Sequence, residues 1–118
     1  MTFKDVKTLI ESFGLPYAYY QFEEGTAQKL PFICFYYTGS DDLGADDVNY
    51  AKIRDLVIEL YTSVKDFELE AQIEDALTAA GLFYAKEETR IDSEQMYEVL
   101  YSMQVVINKE TVTTAGGN

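Results

Sequence analysis

The chain has 118 residues, room for one domain around a single core, and 47% hydrophobic with 25% charged residues is the balance of a folded globular protein. Nine basic residues stand against twenty-one acidic ones, a net charge of −12, which argues against binding nucleic acid or an anionic membrane through phosphate neutralisation. With no histidine and one cysteine, the inventory closes Ser-His-Asp and Cys-His nucleophile systems, histidine-bound zinc or iron, cysteine-rich zinc sites, iron–sulfur clusters and intrachain disulfides.

Phe3, Val6, Leu9, Ile10 and Phe13 recur at helical spacing, with Lys4, Asp5, Lys7 and Glu11 on the opposite side. Thr2 is the expected N-cap, Asp5 follows three residues later, Gly14 is the expected C′ residue, and Pro16 prevents continuation. The start of the chain lacks a basic region followed by an apolar stretch, so no signal peptide is expected. Residues 17–22 are ring-rich and short, the character of a strand, and 23–29 have loop composition. Pro31 opens a continuous apolar run to Tyr37, the signature of a strand buried on both faces or in an interface, and Cys34 within it is expected to behave as a small buried hydrophobe.

A loop with two glycines and four aspartates is expected over 38–47, then a strand over 48–61, where Leu56, Ile58 and Leu60 alternate with their neighbours. Tyr50 and Ile53 break that alternation, which predicts a bulge or register change near 51–54. Asp66 is the expected N-cap of a second helix with Leu69, Ile73, Ala76, Leu77 and Ala80 on its buried side, Glu68 and Glu70 near its positive end, and Gly81 ending it. A short strand is expected over 82–86, a polar turn over 87–94, and over 97–107 the most regular alternation in the chain. No apolar run approaches the ~20 residues that span a bilayer.

The resulting order, α-β-β-β-α-β-β, predicts an α+β fold: a single domain over 1–110, with a mainly antiparallel or mixed sheet of about five strands and two helices packed on one face. The residues 111–118 contain nothing that would anchor them and are expected to be a flexible tail. There is no P-loop and no Gly-rich dinucleotide turn, and no cofactor is expected.

Carboxylates are the chemistry that remains. Asp41, Asp42, Asp46 and Asp47 cluster in one loop that could offer calcium its oxygen ligands, but their spacing is not that of an EF-hand and no glutamate closes it, so no metal site is assigned. Solvated loop tip and subunit contact are the two readings of these aspartates. Tyr36 and Tyr37 belong to an aromatic stretch in which alternate rings must face away from the helices; they are read either as ordinary cross-strand packing or as part of a subunit interface, where tyrosine is enriched.

The segments Gly14-Leu15-Pro16-Tyr17-Ala18-Tyr19, Pro31-Phe32-Ile33, Gly39-Ser40-Asp41-Asp42, Ile58-Glu59-Leu60-Tyr61-Thr62 and Tyr97-Glu98-Val99-Leu100-Tyr101 carry a further likeness through their order and spacing. Together they resemble the short tail-completion proteins of long-tailed phages and prophages of Gram-positive bacteria, described as minor capsid or tail-terminator-like. The resemblance implies a structural, non-enzymatic subunit that forms a ring, commonly of six, on the tail tube. Such a ring ends tube polymerisation and docks to the head connector. It further implies residence in the host cytoplasm during assembly and then in the virion tail. Because acidic walls repel phosphate and let DNA slide, some of Asp41, Asp42, Asp46 and Asp47 are expected to line the lumen of such a ring or meet a neighbouring subunit. Partners would be copies of the chain itself, tail tube protein and head connector protein, with no sequence-specific nucleic acid and no membrane. Two other classes stand beside it: an acidic protein-binding module or DNA-mimic inhibitor, and a small enzyme working with carboxylates alone.

Overall fold

A computed structural model describes residues 1–22, 28–40 and 52–108. Helix α1 spans Phe3–Glu11. Its N-terminus is closed by a reciprocal capping box: Thr2 Oγ1 accepts from the Asp5 N–H at 3.0 Å, and Asp5 Oδ2 accepts from the Thr2 N–H at 2.9 Å. Strands β1 (Tyr17–Tyr19), β2 (Phe32–Ser40) and β3 (Lys52–Thr62) follow, then helix α2 (Phe67–Ala79), strand β4 (Tyr84–Ile91), a short 3-10 turn at Asp92–Glu94, and strand β5 (Met96–Ile107). The expected order of elements, the two helices and the five-stranded sheet are all present.

Helix α2 begins at Asp66, whose Oδ1 accepts from the Leu69 N–H at 3.0 Å. It ends where the Gly81 N–H donates to the Thr78 carbonyl at 2.9 Å and the Leu82 N–H to the Leu77 carbonyl at 3.0 Å. That pair of bonds requires a left-handed residue at the C′ position, and Gly81 supplies it with φ +77°.

The strands lie in the order β1-β2-β3-β5-β4. Only the β1–β2 pair is parallel, so the sheet is mixed. Side chains alternate between faces along each strand, and the buried set picks one face throughout. Ile33 and Phe35 of β2, Leu56, Ile58 and Leu60 of β3, and Val99, Tyr101, Met103, Val105 and Ile107 of β5 form one cluster with Val6 and Ile10 of α1 and with Ile73 and Leu77 of α2. Both helices therefore cover the same face. The Asn108 N–H donates to the Met1 carbonyl at 2.7 Å, tying the start of the chain to the end of β5.

Several boundaries differ from the sequence expectation, each for a physical reason. Strand β4 runs on to Ile91, through the segment expected to be a turn. It is the outer strand, and a charged, polar sequence such as Lys86-Glu87-Glu88-Thr89-Arg90 is what an exposed edge carries to resist pairing with other chains. Strand β1 stops at Tyr19, because Tyr20 takes φ +69° and the chain turns there, bringing the Phe22 ring edge-on to Phe32 at 5.3 Å. Thr38, Gly39 and Ser40, expected to be loop, continue β2. The irregularity expected near 51–54 lies instead on the partner strand: Tyr37 pairs with Leu56 and Gly39 with Asp55, leaving Thr38 as the extra residue, while Lys52, Ile53 and Arg54 pair in unbroken register with β5. Gly39 lies at this bulge close to its partner, and a Cβ there would stand 2.9 Å from Asp55 Oδ2, so a larger residue would displace the Asp55 carboxylate. The tail expected over 111–118 lies outside the described residues.

A candidate assembly surface on the open face of the sheet

The face of the sheet turned away from the helices is lined by Phe32, Cys34 and Tyr36 of β2, Ile53, Asp55, Val57, Glu59 and Tyr61 of β3, and Met96, Glu98, Leu100, Ser102, Gln104 and Val106 of β5, by alternation from the core positions. The expectation that some rings must face away from the helices is met here. Phe32 stacks on Tyr61 at 5.0 Å between centroids, and Tyr20 packs on Tyr36 at 5.3 Å. Cys34 is buried, as expected, and burial, with the charge of Glu59 second, pushes its thiol up to about 11.

Tyr36 and Tyr37, adjacent in sequence, are separated by the pleat. Tyr36 lies on the open face and donates its hydroxyl to Glu59 Oε2 at 3.2 Å. Tyr37 lies on the helix side, edge-on to Phe3 of α1 at 5.2 Å, and its buried hydroxyl has no hydrogen-bond partner among the described residues. Burial pushes both phenols up to about 12. Asp41, Asp42, Asp46 and Asp47 lie outside the described residues, so the structure does not bring them to this surface or keep them from it.

The centre of the open face holds a polar cluster that sequence reading missed. Tyr61 Oη lies 2.7 Å from Glu98 Oε2 and 3.1 Å from Glu59 Oε1, and Glu59 also receives the Tyr36 hydroxyl. The register puts Tyr61 opposite Glu98 and Glu59 opposite Leu100, so the two carboxylates are diagonal neighbours across β3 and β5. Burial raises the Glu59 carboxyl above the usual glutamate range, and the nearby charge of Glu98 raises it further, against the opposing hydrogen bonds from Tyr61 and Tyr36. The sequence signal was the alternation that sets Glu59 and Tyr61 opposite the buried positions of β3, and Glu98 opposite those of β5, which fixes a face but not a partner.

Charge is sorted between the two faces. Lys52, Arg54, Lys86 and Arg90, the basic residues on described strands, all fall on the helix side by register. Asp55, Glu59, Glu87 and Glu98 fall on the open side. No ion pair reaches Glu59 or Glu98 among the described residues. On the helix side, by contrast, buried Glu70 of α2 is held by Lys65 at 2.5 Å and by Lys86 at 2.8 Å. Lys86 also reaches Glu74 at 2.7 Å, and the Tyr101 hydroxyl donates to Glu74 at 2.8 Å. Lys65 bonds Glu88 of β4 as well, so the network ties α2 to both β4 and β5.

Two grooves flank the acidic cluster. One, of about 590 Å³, is walled by Phe22, Leu30, Phe32, Tyr61, Ile91 and Met96. The other, of about 780 Å³, runs past Asp55, Val57, Gln104 and Val106 to Phe83, which is 94% exposed. Broad, shallow, apolar floors with a few carboxylates suit contact with another macromolecule. Among the described residues no group of three or more acidic or thiol side chains is arranged to hold a metal ion, and no helix is long and apolar enough to cross a membrane.

No family model matches this chain, and no curated protein matches it. Among solved structures, it is similar to a chain in the virion of a native gene transfer agent particle, with a TM-score of 0.52 at 15% identity over 86% of this chain and 84% of that one. At that identity the likeness is one of fold, and it extends over nearly the whole of both chains.

Proposed function

We propose that this protein is a structural subunit of a phage-like particle, a tail terminator or head–tail joining protein that forms a ring on the tail tube. In that position it ends tube polymerisation and docks to the head connector, and it catalyses no reaction. The observation that carries the reading is the likeness of fold, over 86% of this chain, to a chain of a gene transfer agent virion. It accords with the resemblance carried by segments 14–19, 31–33, 39–42, 58–62 and 97–101, and with an open sheet face better suited to a protein contact than to a closed reaction site. A ring multiplies the net charge of −12, so its subunits must keep their carboxylates hydrated or apart, and assembly weakens at low salt. In such a ring Asp41, Asp42, Asp46 and Asp47 face the lumen, where they repel the phosphates of passing DNA, or meet the next subunit.

Electron microscopy of tail tube protein polymerised with and without this chain tests the proposal. Tubes of bounded length capped by a ring are the expected result. A protein that stays monomeric at every salt and protein concentration, with uncapped tubes, overturns it. The alternative of a DNA mimic requires carboxylates displayed to solvent like a row of phosphates; Glu59 and Glu98 are instead half-buried and joined through Tyr61.

A further inference from the structure

The acidic cluster on the open face is short of donors. Tyr61 has one hydroxyl proton and two carboxylate neighbours, at 2.7 and 3.1 Å, so it satisfies one and leaves the other facing a lone pair. Tyr36 adds one more donor, to Glu59. Glu59 and Glu98 also lie within hydrogen-bond reach of each other, so two like-charged acids share two hydroxyl donors in a half-buried setting, and no lysine or arginine of the described residues reaches either one. The rings of Phe32, Tyr61 and Tyr36 lie around the pair, and the groove walled by Phe22, Phe32, Ile91 and Met96 opens beside it.

We propose that this face is a docking surface for an arginine-bearing, apolar segment of a partner protein, with its apolar side chains in the Phe22–Met96 groove and a guanidinium set against the adjoining carboxylates of Glu59 and Glu98. Charge complementarity selects this occupant. A guanidinium carries five N–H donors in a planar fork, supplies what the cluster lacks, and stacks on tyrosine rings. An ammonium offers the charge without the fork or the stacking plane. A second copy meeting this face with its own open face is disfavoured, because Asp55, Glu59, Glu87 and Glu98 would meet their like. The inference deepens the assembly reading by naming the chemistry of the partner, and rests on that reading only for the existence of one.

The test uses the full chain and a fluorescent peptide alternating arginine with leucine, beside counterparts carrying lysine or citrulline in place of arginine. Binding is read by anisotropy. The arginine peptide is expected to bind, the lysine peptide more weakly and the citrulline peptide weakest. The double variant Glu59→Gln/Glu98→Gln should lose roughly tenfold or more in affinity, as expected for charge-assisted bidentate bonds. Glu68→Gln/Asp75→Gln removes the same charge from the exposed side of α2 and should change affinity by less than roughly twofold, since screened surface charges contribute little. Met96→Lys, which places a cation in the groove while leaving both acids intact, should also abolish binding. No binding, equal losses in the two double variants, or equal affinity for the citrulline peptide would overturn the inference. So would a dimer of the unmodified chain that Glu59→Gln/Glu98→Gln dissolves, which would make the occupant a second copy. The measurement contains no tail tube or connector protein, so its failure leaves the ring proposal standing, and uncapped tubes leave the peptide result intact.

Discussion

Each face of the sheet has a pair of glutamates against it, with a tyrosine hydroxyl bonded to Glu74 on one side and to Glu59 and Glu98 on the other, and the two pairs resolve their charge in opposite ways. On the helix side Glu70 and Glu74 are matched by Lys65 and Lys86, so ions of both signs are held together beside the core. On the open side Glu59 and Glu98 meet each other and the hydroxyls of Tyr36 and Tyr61, with no cation beside them among the described residues. The lesson is that similar side chains in the same sheet form a clamp where opposite charges converge and an unsatisfied surface where they do not. The first belongs to stability, the second to recognition.

The comparison breaks most visibly at Lys86. Lys86→Met should destabilise the fold by about 2 to 3 kcal/mol, toward the lower end for breaking a buried ion pair because the Lys86 side chain is 35% exposed, and the urea midpoint measures it. Tyr61→Phe should cost about 1 to 2 kcal/mol by the same assay, since it takes the shared donor from two half-buried carboxylates. Glu59→Gln should reverse the sign, stabilising the protein at pH 7 by on the order of a few tenths of a kcal/mol after solvent screening. A clear destabilisation by Glu59→Gln would mean that the open-face acids are as well matched as those under α2.

The finest test is the pH profile, because the two faces titrate in opposite senses. The Glu59 carboxyl is raised in the folded state by burial and by Glu98. Its ionisation therefore costs stability, from the ordinary value of 4.5 upward until pH passes its folded value. The advantage of Glu59→Gln should accordingly be full at neutral pH and fade as pH falls through that folded value toward 4.5. For Glu74 burial is outweighed by the bonds from Lys86 and Tyr101, which hold its carboxyl below 4.5. It stabilises the fold above the ordinary value and loses that contribution as pH falls through its folded one. The deficit of Lys86→Met should thus persist through neutral pH and shrink only in strong acid. Denaturation midpoints of both variants across that range decide the matter, and parallel profiles would remove the contrast.

Much of this architecture is legible residue by residue. Thr2 with Asp5 and Asp66 with Gly81 announce the helix ends because capping is local, involving groups three to five residues apart. The alternation over 97–107 announces β5 for the same reason. Strand β4 past Lys86 is not legible, since an exposed edge strand and a turn draw on the same polar residues and only pairing with β5 tells them apart. The bulge at Thr38 is hidden because its cause lies in the partner strand. Of the site, Tyr36 is legible as an aromatic on a strand, whereas the Glu59–Tyr61–Glu98 cluster is not, although the segments 58–62 and 97–101 that contain it stand out in the sequence.

By itself, then, the amino-acid order settles the inventory of chemistry, the net charge, the capped helices, the number of strands and the period of their side chains, all properties of single residues or near neighbours. Tertiary structure decides which member of each alternating pair is covered: it places Tyr37 under Phe3 and leaves Tyr36 outside, and it gathers the strand cations on one side and an unmatched acid pair on the other. The reason is that register joins residues such as Tyr61 and Glu98, 37 positions apart, and such a pairing is chosen by burial of the whole sheet against its helices rather than by any local preference.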